Sequence, residues 1–361
     1  MKARLNNIRG RFEEAGVDGL LVASDQNRRY LSGFSGTAGS LIITAKDAVL
    51  ATDFRYVEQA GEQAPDFRVL RTMGARDWLT DLLKELGVQR LGIESQHMTV
   101  ATHERLLKAL EEGTDGSAVA LVATASLVED MRSIKDESEM AMLTRAIEIS
   151  DKAFEEVSKT IEDGQTETEI AWRLEKAMRE LGADSVSFDT IVATGSNAAL
   201  PHHRPDDSIV RQGQPLIIDM GARYKGYCSD LSRTLCLGQP NDTFRKVYDT
   251  VLGAQLTAIA TVQRGMTGED ADGLARTVIE EAGYGDNFGH SLGHGVGLEV
   301  HEQPGVGPNS HGVLENGMPF TIEPGIYISG WGGVRIEDVV VLENDKARVI
   351  SRAPKIDRMG T

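Results

Sequence analysis

Apolar residues in the first part of the chain recur at two spacings. Residues 4–15 and 76–86 carry them at helical intervals, the second run stopping at Gly87, and residues 99–111 repeat the pattern. Between these stretches, residues 18–24, 40–45, 48–52, 90–94 and 118–123 are apolar runs of strand length, with Lys46-Asp47 as the turn between the second and third. Residues 113–116 read as a turn-rich tip. Helix alternating with strand predicts a small α/β unit. It gathers no catalytic residue types, and its two histidines, His97 and His103, read as surface groups.

The texture changes near residue 125. Residues 127–161 form a long charged stretch with Ile134, Met140, Leu143, Ile147, Ala153 and Val157 at helical spacing. Further helices are predicted over 167–181, 242–262 and 269–282, and strand-like runs over 190–193, 214–221, 227–237, 320–328 and 334–342. Antiparallel hairpins flanked by helices predict an α+β domain. The expected division is therefore 1–125 and 126–361.

Composition narrows the class. The 361 residues carry 38 Lys+Arg against 55 Asp+Glu, a formal charge of −17, which repels phosphate backbones and excludes a broad nucleic-acid surface. Two cysteines, Cys228 and Cys236, make no disulfide framework and read as core thiols. No apolar run approaches the roughly 18 residues of a membrane span. Residues 1–12 are basic but lack the apolar segment of a secretion signal. The expectation is a soluble, cytoplasmic protein with no membrane partner. Six of the eight histidines fall between 202 and 311, so site chemistry is expected in the second domain.

Two predicted hairpins bring acids together. With Arg223-Tyr224-Lys225-Gly226 as a four-residue loop, Asp219 opposes Asp230. A second hairpin centred on Gly330 sets Glu323 opposite Glu337. Carboxylates about 5 Å apart repel by roughly 3 kcal/mol at an effective dielectric near 20, so the arrangement makes sense if a cation sits between them. Four such acids can hold two divalent cations about 3.5–4 Å apart. The segment 288–302 adds His290, His294 and His301 among glycines that permit close backbone approach to a ligand. His301-Glu302 is not a zincin helix, because residue 305 is Gly. Residues 200–205, bounded by Pro201 and Pro205, form a loop carrying His202 and His203.

In this order, Asp219, Asp230, His294, Glu323-Pro-Gly and Arg335-Ile-Glu337-Asp resemble the pita-bread metallopeptidases: methionine aminopeptidase, aminopeptidase P and prolidase. Arg29-Tyr-Leu-Ser-Gly-Phe and Thr52-Asp-Phe-Arg-Tyr-Val resemble the creatinase-type N-terminal domain of aminopeptidase P and prolidase, which methionine aminopeptidases lack. The resemblance implies a creatinase-like α/β domain followed by a pita-bread catalytic domain. It implies two divalent metal ions, with Asp219 chelating one, Asp230 and Glu337 bridging, and His294 and Glu323 on the second. Glu323 would also carry a proton, and His202 rather than His203 would shuttle one. His290 and His301 would meet substrate and the tetrahedral centre, while Arg335 would orient the site and reach a substrate carboxylate.

The implied substrate is a proline-containing peptide, cut between its first residue and the proline. The small front domain favours an Xaa-Pro aminopeptidase, with an Xaa-Pro dipeptidase (prolidase) as the alternative. The rival of another class is a non-catalytic peptide-binding module on the same fold. An oxygen-rich ligand set with one imidazole suits Mn²⁺, with Zn²⁺ or Co²⁺ as the other candidates. A homodimer is implied by the resemblance alone.

Overall fold

A computed structural model describes residues 1–73, 78–113 and 119–355. The first residues of the helix expected over 76–86 and of the strand expected over 118–123, and most of the turn expected at 113–116, lie outside the described residues. The chain divides into two compact units, Met1–Arg132 and Ser133–Thr361. Sequence texture alone puts the change at residue 125.

In the first unit, six strands form one mixed sheet in the order Arg68–Arg71, Ala48–Thr52, Ser40–Thr44, Gly19–Val22, Arg90–Glu94, Ala120–Thr124. Gly19–Val22 pairs antiparallel with Ser40–Thr44 and parallel with Arg90–Glu94. The run expected as one helix over 4–15 forms two, Lys2–Gly10 and Phe12–Ala15. The pattern missed helix Asp25–Ser32, whose buried face includes Asn27 and Arg28 and so shows no apolar stripe; Ser24 caps it by accepting from the Asn27 N–H.

The second unit carries the helices Glu137–Ser158, Glu167–Glu180, Asp242–Thr261 and Gly268–Glu281. Capping boxes at Asp136/Glu139, Thr166/Glu169 and Thr267/Asp270 start three of them. The stretch expected as one helix over 127–161 therefore breaks into Glu129–Ser133 and Glu137–Ser158. Ile134 falls in the break and stays 47% exposed, so it is not part of the buried stripe.

Three sheets in this unit build the site. Pro215–Met220 is the middle strand between Ile191–Thr194 and Leu231–Cys236. A five-stranded sheet runs Glu302–Val306, Gly293–Gly295, Pro319–Ile322, Asp338–Glu343, Lys346–Val349, and Gly325–Ile328 pairs with Gly332–Arg335. Strand alternation sorts the side chains. Leu216, Ile218, Met220 and Leu231 join Phe154 and Leu174 in one core. Phe320, Ile322, Ile326, Val334 and Ile336 join Val251 and Ile279 in another. Each such burial contributes about 1.5–3 kcal/mol. The intervening residues, Asp219, Ser232, Thr321, Glu323, Arg335 and Glu337, are thereby turned to the opposite face. The apolar positions choose the face, and the acids follow.

Candidate metal centre

The first hairpin closes more tightly than its sequence suggests. Tyr224 pairs with Tyr227, leaving Lys225-Gly226 as a two-residue turn with φ of 46° and 85°. Both values are those of a type I′ turn, which matches strand twist. The register shifts by two residues, so Asp219 opposes Ser232 rather than Asp230. A two-residue shift keeps every side chain on its face. Asp230 becomes a diagonal neighbour of Asp219 instead of its direct opposite, and still lies on the same side.

The second hairpin keeps the expected register. Ile322 pairs with Asp338 on one side and Gly325 with Arg335 on the other, so Glu323 and Glu337 lie across from each other between the two ladders. Pro324 interrupts the pairing there, as its missing N–H requires. The two hairpins are tied directly: the Glu337 N–H donates to Ser232 O at 3.0 Å, and Thr234 Oγ1 accepts from the Arg335 N–H at 2.9 Å. Arg233, buried beneath, donates to Glu337 O and pairs with Asp338 at 2.7 Å.

His294 sits on Gly293–Gly295, threaded between two other strands. A Cβ at Gly293 would lie 2.0 Å from Thr321 O, and one at Gly295 would lie 2.1 Å from Gln303 O. Strand packing therefore requires glycine at both positions. Arg276 pins the preceding segment by donating to Phe288 O at 2.9 Å and His290 O at 2.8 Å, while Asp272 accepts from the Leu292 N–H.

The expected ligands converge. His294 Nε2 lies 3.2 Å from Glu323 Oε1 and 3.6 Å from Asp230 Oδ2. Ligand atoms of Asp230, His294 and Glu337 all lie within 4.8 Å of one another. Asp219 joins through Arg335, whose Nη2 donates to its Oδ2 at 2.6 Å. Burial raises Asp230 well above the carboxylate range, and Glu337 and Asp219 push it further. Glu337 is raised well above for the same reasons, burial first and then Glu323 and Asp219. Burial also raises Asp219, against the pull of Arg335. Glu323 differs: burial pushes it up, but the hydrogen bond and charge of His294 outweigh this and bring it down to about 2. His294 is raised correspondingly, since Glu323 outweighs the burial that would lower it.

A cation pair fits this donor set. Asp219 Oδ1 and Glu337 Oε1 are buried with no hydrogen-bond partner. Buried charged oxygens without donors are costly, by several kcal/mol each, unless another ligand satisfies them. Five donors of carboxylate and imidazole type around such orphans suit two divalent ions.

The other expected residues line the same cavity of about 980 Å³. His202 is exposed into it. His203, its neighbour, is held 2.7 Å from Glu167. The His301 ring lies 4.1 Å from that of His294, and burial lowers its pKa. His290 Nδ1 lies 2.8 Å from Ser291 O, which can only accept, so Nδ1 carries the proton and Nε2 accepts from Tyr327 OH at 2.9 Å. Burial lowers its pKa, against the pull of Glu323. Arg335 is buried in the cavity wall. Its guanidinium is occupied by Asp219, Ser232 Oγ at 2.8 Å, Tyr327 OH at 2.9 Å and Pro201 O at 3.5 Å.

Tyr327, Ser232 and Thr321 also belong to the site and carry no motif of their own. Thr321 Oγ1 donates to Glu323 Oε1 at 3.1 Å and accepts from the His294 N–H. The signal was the period of two: Thr321, Glu323 and Tyr327 fall on one strand face, and Ser232 lies two residues from Asp230.

A second group, Glu167, His203 and Asp206, has similar spacing. It does not fit a metal. Glu167 Oε1 accepts from the Thr194 N–H at 2.7 Å and Asn197 Nδ2 at 3.0 Å, and Oε2 meets His203 Nε2 at 2.7 Å and the Asp206 N–H at 3.2 Å. All its lone-pair directions are taken.

Comparison with known proteins agrees with this geometry. Residues 141–344 match metallopeptidase family M24, and residues 4–134 match the creatinase/prolidase N-terminal domain. An Xaa-Pro dipeptidase of Pyrococcus horikoshii is 36% identical over 98% of both chains. The structure of the Xaa-Pro dipeptidase from Bacillus anthracis is 43% identical, covers 99% of both chains and superposes with a TM-score of 0.95. That of the X-Pro aminopeptidase from Thermotoga maritima MSB8 is 36% identical over 99% of both chains, with a TM-score of 0.90. This chain belongs to metallopeptidase family M24, with a creatinase/prolidase N-terminal domain ahead of its pita-bread peptidase domain.

Proposed function

We propose that this protein is an Xaa-Pro dipeptidase, holding two divalent cations on Asp219, Asp230, His294, Glu323 and Glu337. The single observation that carries the reading is the cluster of Asp230, His294 and Glu337, with Glu323 against His294 and Asp219 held by Arg335, around buried oxygens without a hydrogen-bond partner. When bound, the cations supply a water activated near neutral pH and polarise the scissile carbonyl. Mn²⁺ is the ion the oxygen-rich set suits best.

The chain's own residues do the rest. Arg335 fixes Asp219, and Thr321 fixes Glu323 toward His294. Glu323 takes and returns the proton at Oε2, the oxygen that Thr321 and His294 leave open. His202, exposed into the cavity, moves protons to and from the leaving nitrogen. His301 faces the developing oxyanion beside His294. His290 is a fixed neutral acceptor, held by Ser291 and Tyr327. Proline's ring removes the N–H that general peptidases grip, which is why a dedicated site is needed.

The sequence favours the aminopeptidase on the strength of the front domain. That domain does not discriminate, because the dipeptidase and the aminopeptidase structures both cover 99% of this chain. Support for the dipeptidase comes from the relatives of that name, at 36% and 43% identity. Hydrolysis of Ala-Pro and Ala-Pro-Ala by Mn²⁺-loaded enzyme tests it. The dipeptide should be cut at least about tenfold faster. Faster tripeptide turnover would restore the aminopeptidase. No turnover of either, with peptide binding indifferent to metal, would support the binding module.

A further inference from the structure

We propose that Arg204 receives the free carboxylate of the dipeptide's proline. This rests on the dipeptidase reading above and adds to it the residue that makes the distinction between a dipeptide and a longer chain.

A dipeptide presents an anionic end close to the bond being cut, and a longer peptide presents a neutral amide there. Selecting the first requires a cation beside the cleavage site. Among the described residues that line the cavity, two carry permanent positive charge, Arg204 and Arg335. Arg335 is 4% exposed and its guanidinium is consumed by Asp219, Ser232, Tyr327 and Pro201. It cannot turn to a ligand without releasing Asp219. Arg204 is exposed, and no hydrogen bond or ion pair with a described residue holds its side chain. The cavity's remaining charged groups outside the expected metal ligands, Asp189 and Asp286, repel a carboxylate. The His290 ring is already engaged by Ser291 O and Tyr327 OH, and the His301 ring packs against that of His294.

The backbone beside Arg204 is tied down on both sides, and its side chain is exposed. On one side the His203 ring lies 2.7 Å from Glu167 Oε2, and on the other the Asp206 N–H donates to the same oxygen at 3.2 Å. The His203 N–H also donates to Leu200 O at 3.0 Å, and Pro201 and Pro205 restrict the loop at either end. The saturated Glu167 cluster thus has a use: it anchors the loop that presents both His202 and Arg204 to the cavity. A guanidinium so mounted can meet a carboxylate through two parallel N–H bonds.

The test is steady-state kinetics of Mn²⁺-loaded wild type, Arg204→Ala and Arg204→Lys on Ala-Pro and on Ala-Pro amide. Arg204→Ala should raise KM for Ala-Pro about tenfold and change kcat by less than about twofold, as loss of an exposed charge-assisted contact does. The amide should be unaffected, so the wild-type preference for the free acid disappears. Arg204→Lys should recover part of it, keeping the charge but not the fork. If Arg204→Ala retains the wild-type preference for the acid, another group holds the carboxylate and the assignment falls while the dipeptidase reading stands. The assignment also falls if KM rises equally for acid and amide. If wild type cuts acid and amide equally well, both the assignment and the dipeptidase reading fail.

Discussion

Two groups of histidine and carboxylate occupy the second unit, and by spacing alone either could hold a metal: Glu167, His203 and Asp206, and Asp230, His294 and Glu337. Their oxygens tell them apart. Every lone-pair direction of Glu167 is filled by a protein donor, two of them backbone N–H groups. Glu94 in the first unit follows the same pattern, accepting from the N–H groups of Ala23 and Ser24 and from Asn27 Nδ2. At the centre of the cavity the balance is reversed. Asp219 Oδ1 and Glu337 Oε1 have no donor, and four acids share one permanent cation, Arg335. A buried carboxylate that the protein satisfies is structural; a group of them that it leaves unsatisfied is built for a ligand.

Substitution should separate the two groups sharply. Asp230→Asn keeps volume and removes a charge from the unsatisfied set. Activity on Ala-Pro should fall about 10³-fold or more, with loss of at least one metal equivalent by elemental analysis. Glu167→Gln places an NH₂ where the carboxylate accepts two donors, at a cost of about 1–3 kcal/mol. Its melting temperature should drop by roughly 2–10 °C with metal content still at wild type. Metal loss in Glu167→Gln, or retention in Asp230→Asn, would erase the distinction.

Stability against pH sharpens it further. Asp230 and Glu337 have folded-state pKa values raised above the unfolded ones, so the folded metal-free protein binds more protons through that interval. Their contribution is present at acidic pH and lost as pH rises through the raised values. His294, also raised, acts in the same direction above its ordinary range, while Glu323, lowered to about 2, contributes above the usual carboxylate range and loses this only in strong acid. Chelator-treated protein should therefore melt lower at pH 8 than at pH 5.5, and Asp230→Asn should flatten that slope. A stability that climbs with pH after chelation would contradict the repulsion.

The smallest effect expected is at the turn. Gly226 holds φ of 85°, so Gly226→Ala should cost about 1 kcal/mol, or roughly 2–4 °C, without changing metal content.

That turn also shows what the sequence conceals. The type of each acid, its strand and its face were legible, because Ile218 and Met220 around Asp219, and Ile322 and Ile336 beside Glu323 and Glu337, alternate with them. The register around Gly330 was legible too, since hydrophobic alternation and a glycine at the apex agree. The register of the first hairpin was not. It depends on Lys225 adopting a positive φ, an uncommon choice for a residue that is neither Gly nor Asn. Helix Asp25–Ser32 was hidden because it buries polar groups, and the bridging role of Tyr327 because strand alternation gives its face but not its partners, His290 and Arg335.

The most direct measurement is anomalous difference density from crystals of the protein soaked in Mn²⁺. Two peaks are expected, enclosed by Asp219, Asp230, His294, Glu323 and Glu337, with none beside Glu167. A peak among Glu167, His203 and Asp206, or no density near Asp230 while Ala-Pro is still hydrolysed, would contradict the assignment of the unsatisfied acids to metal.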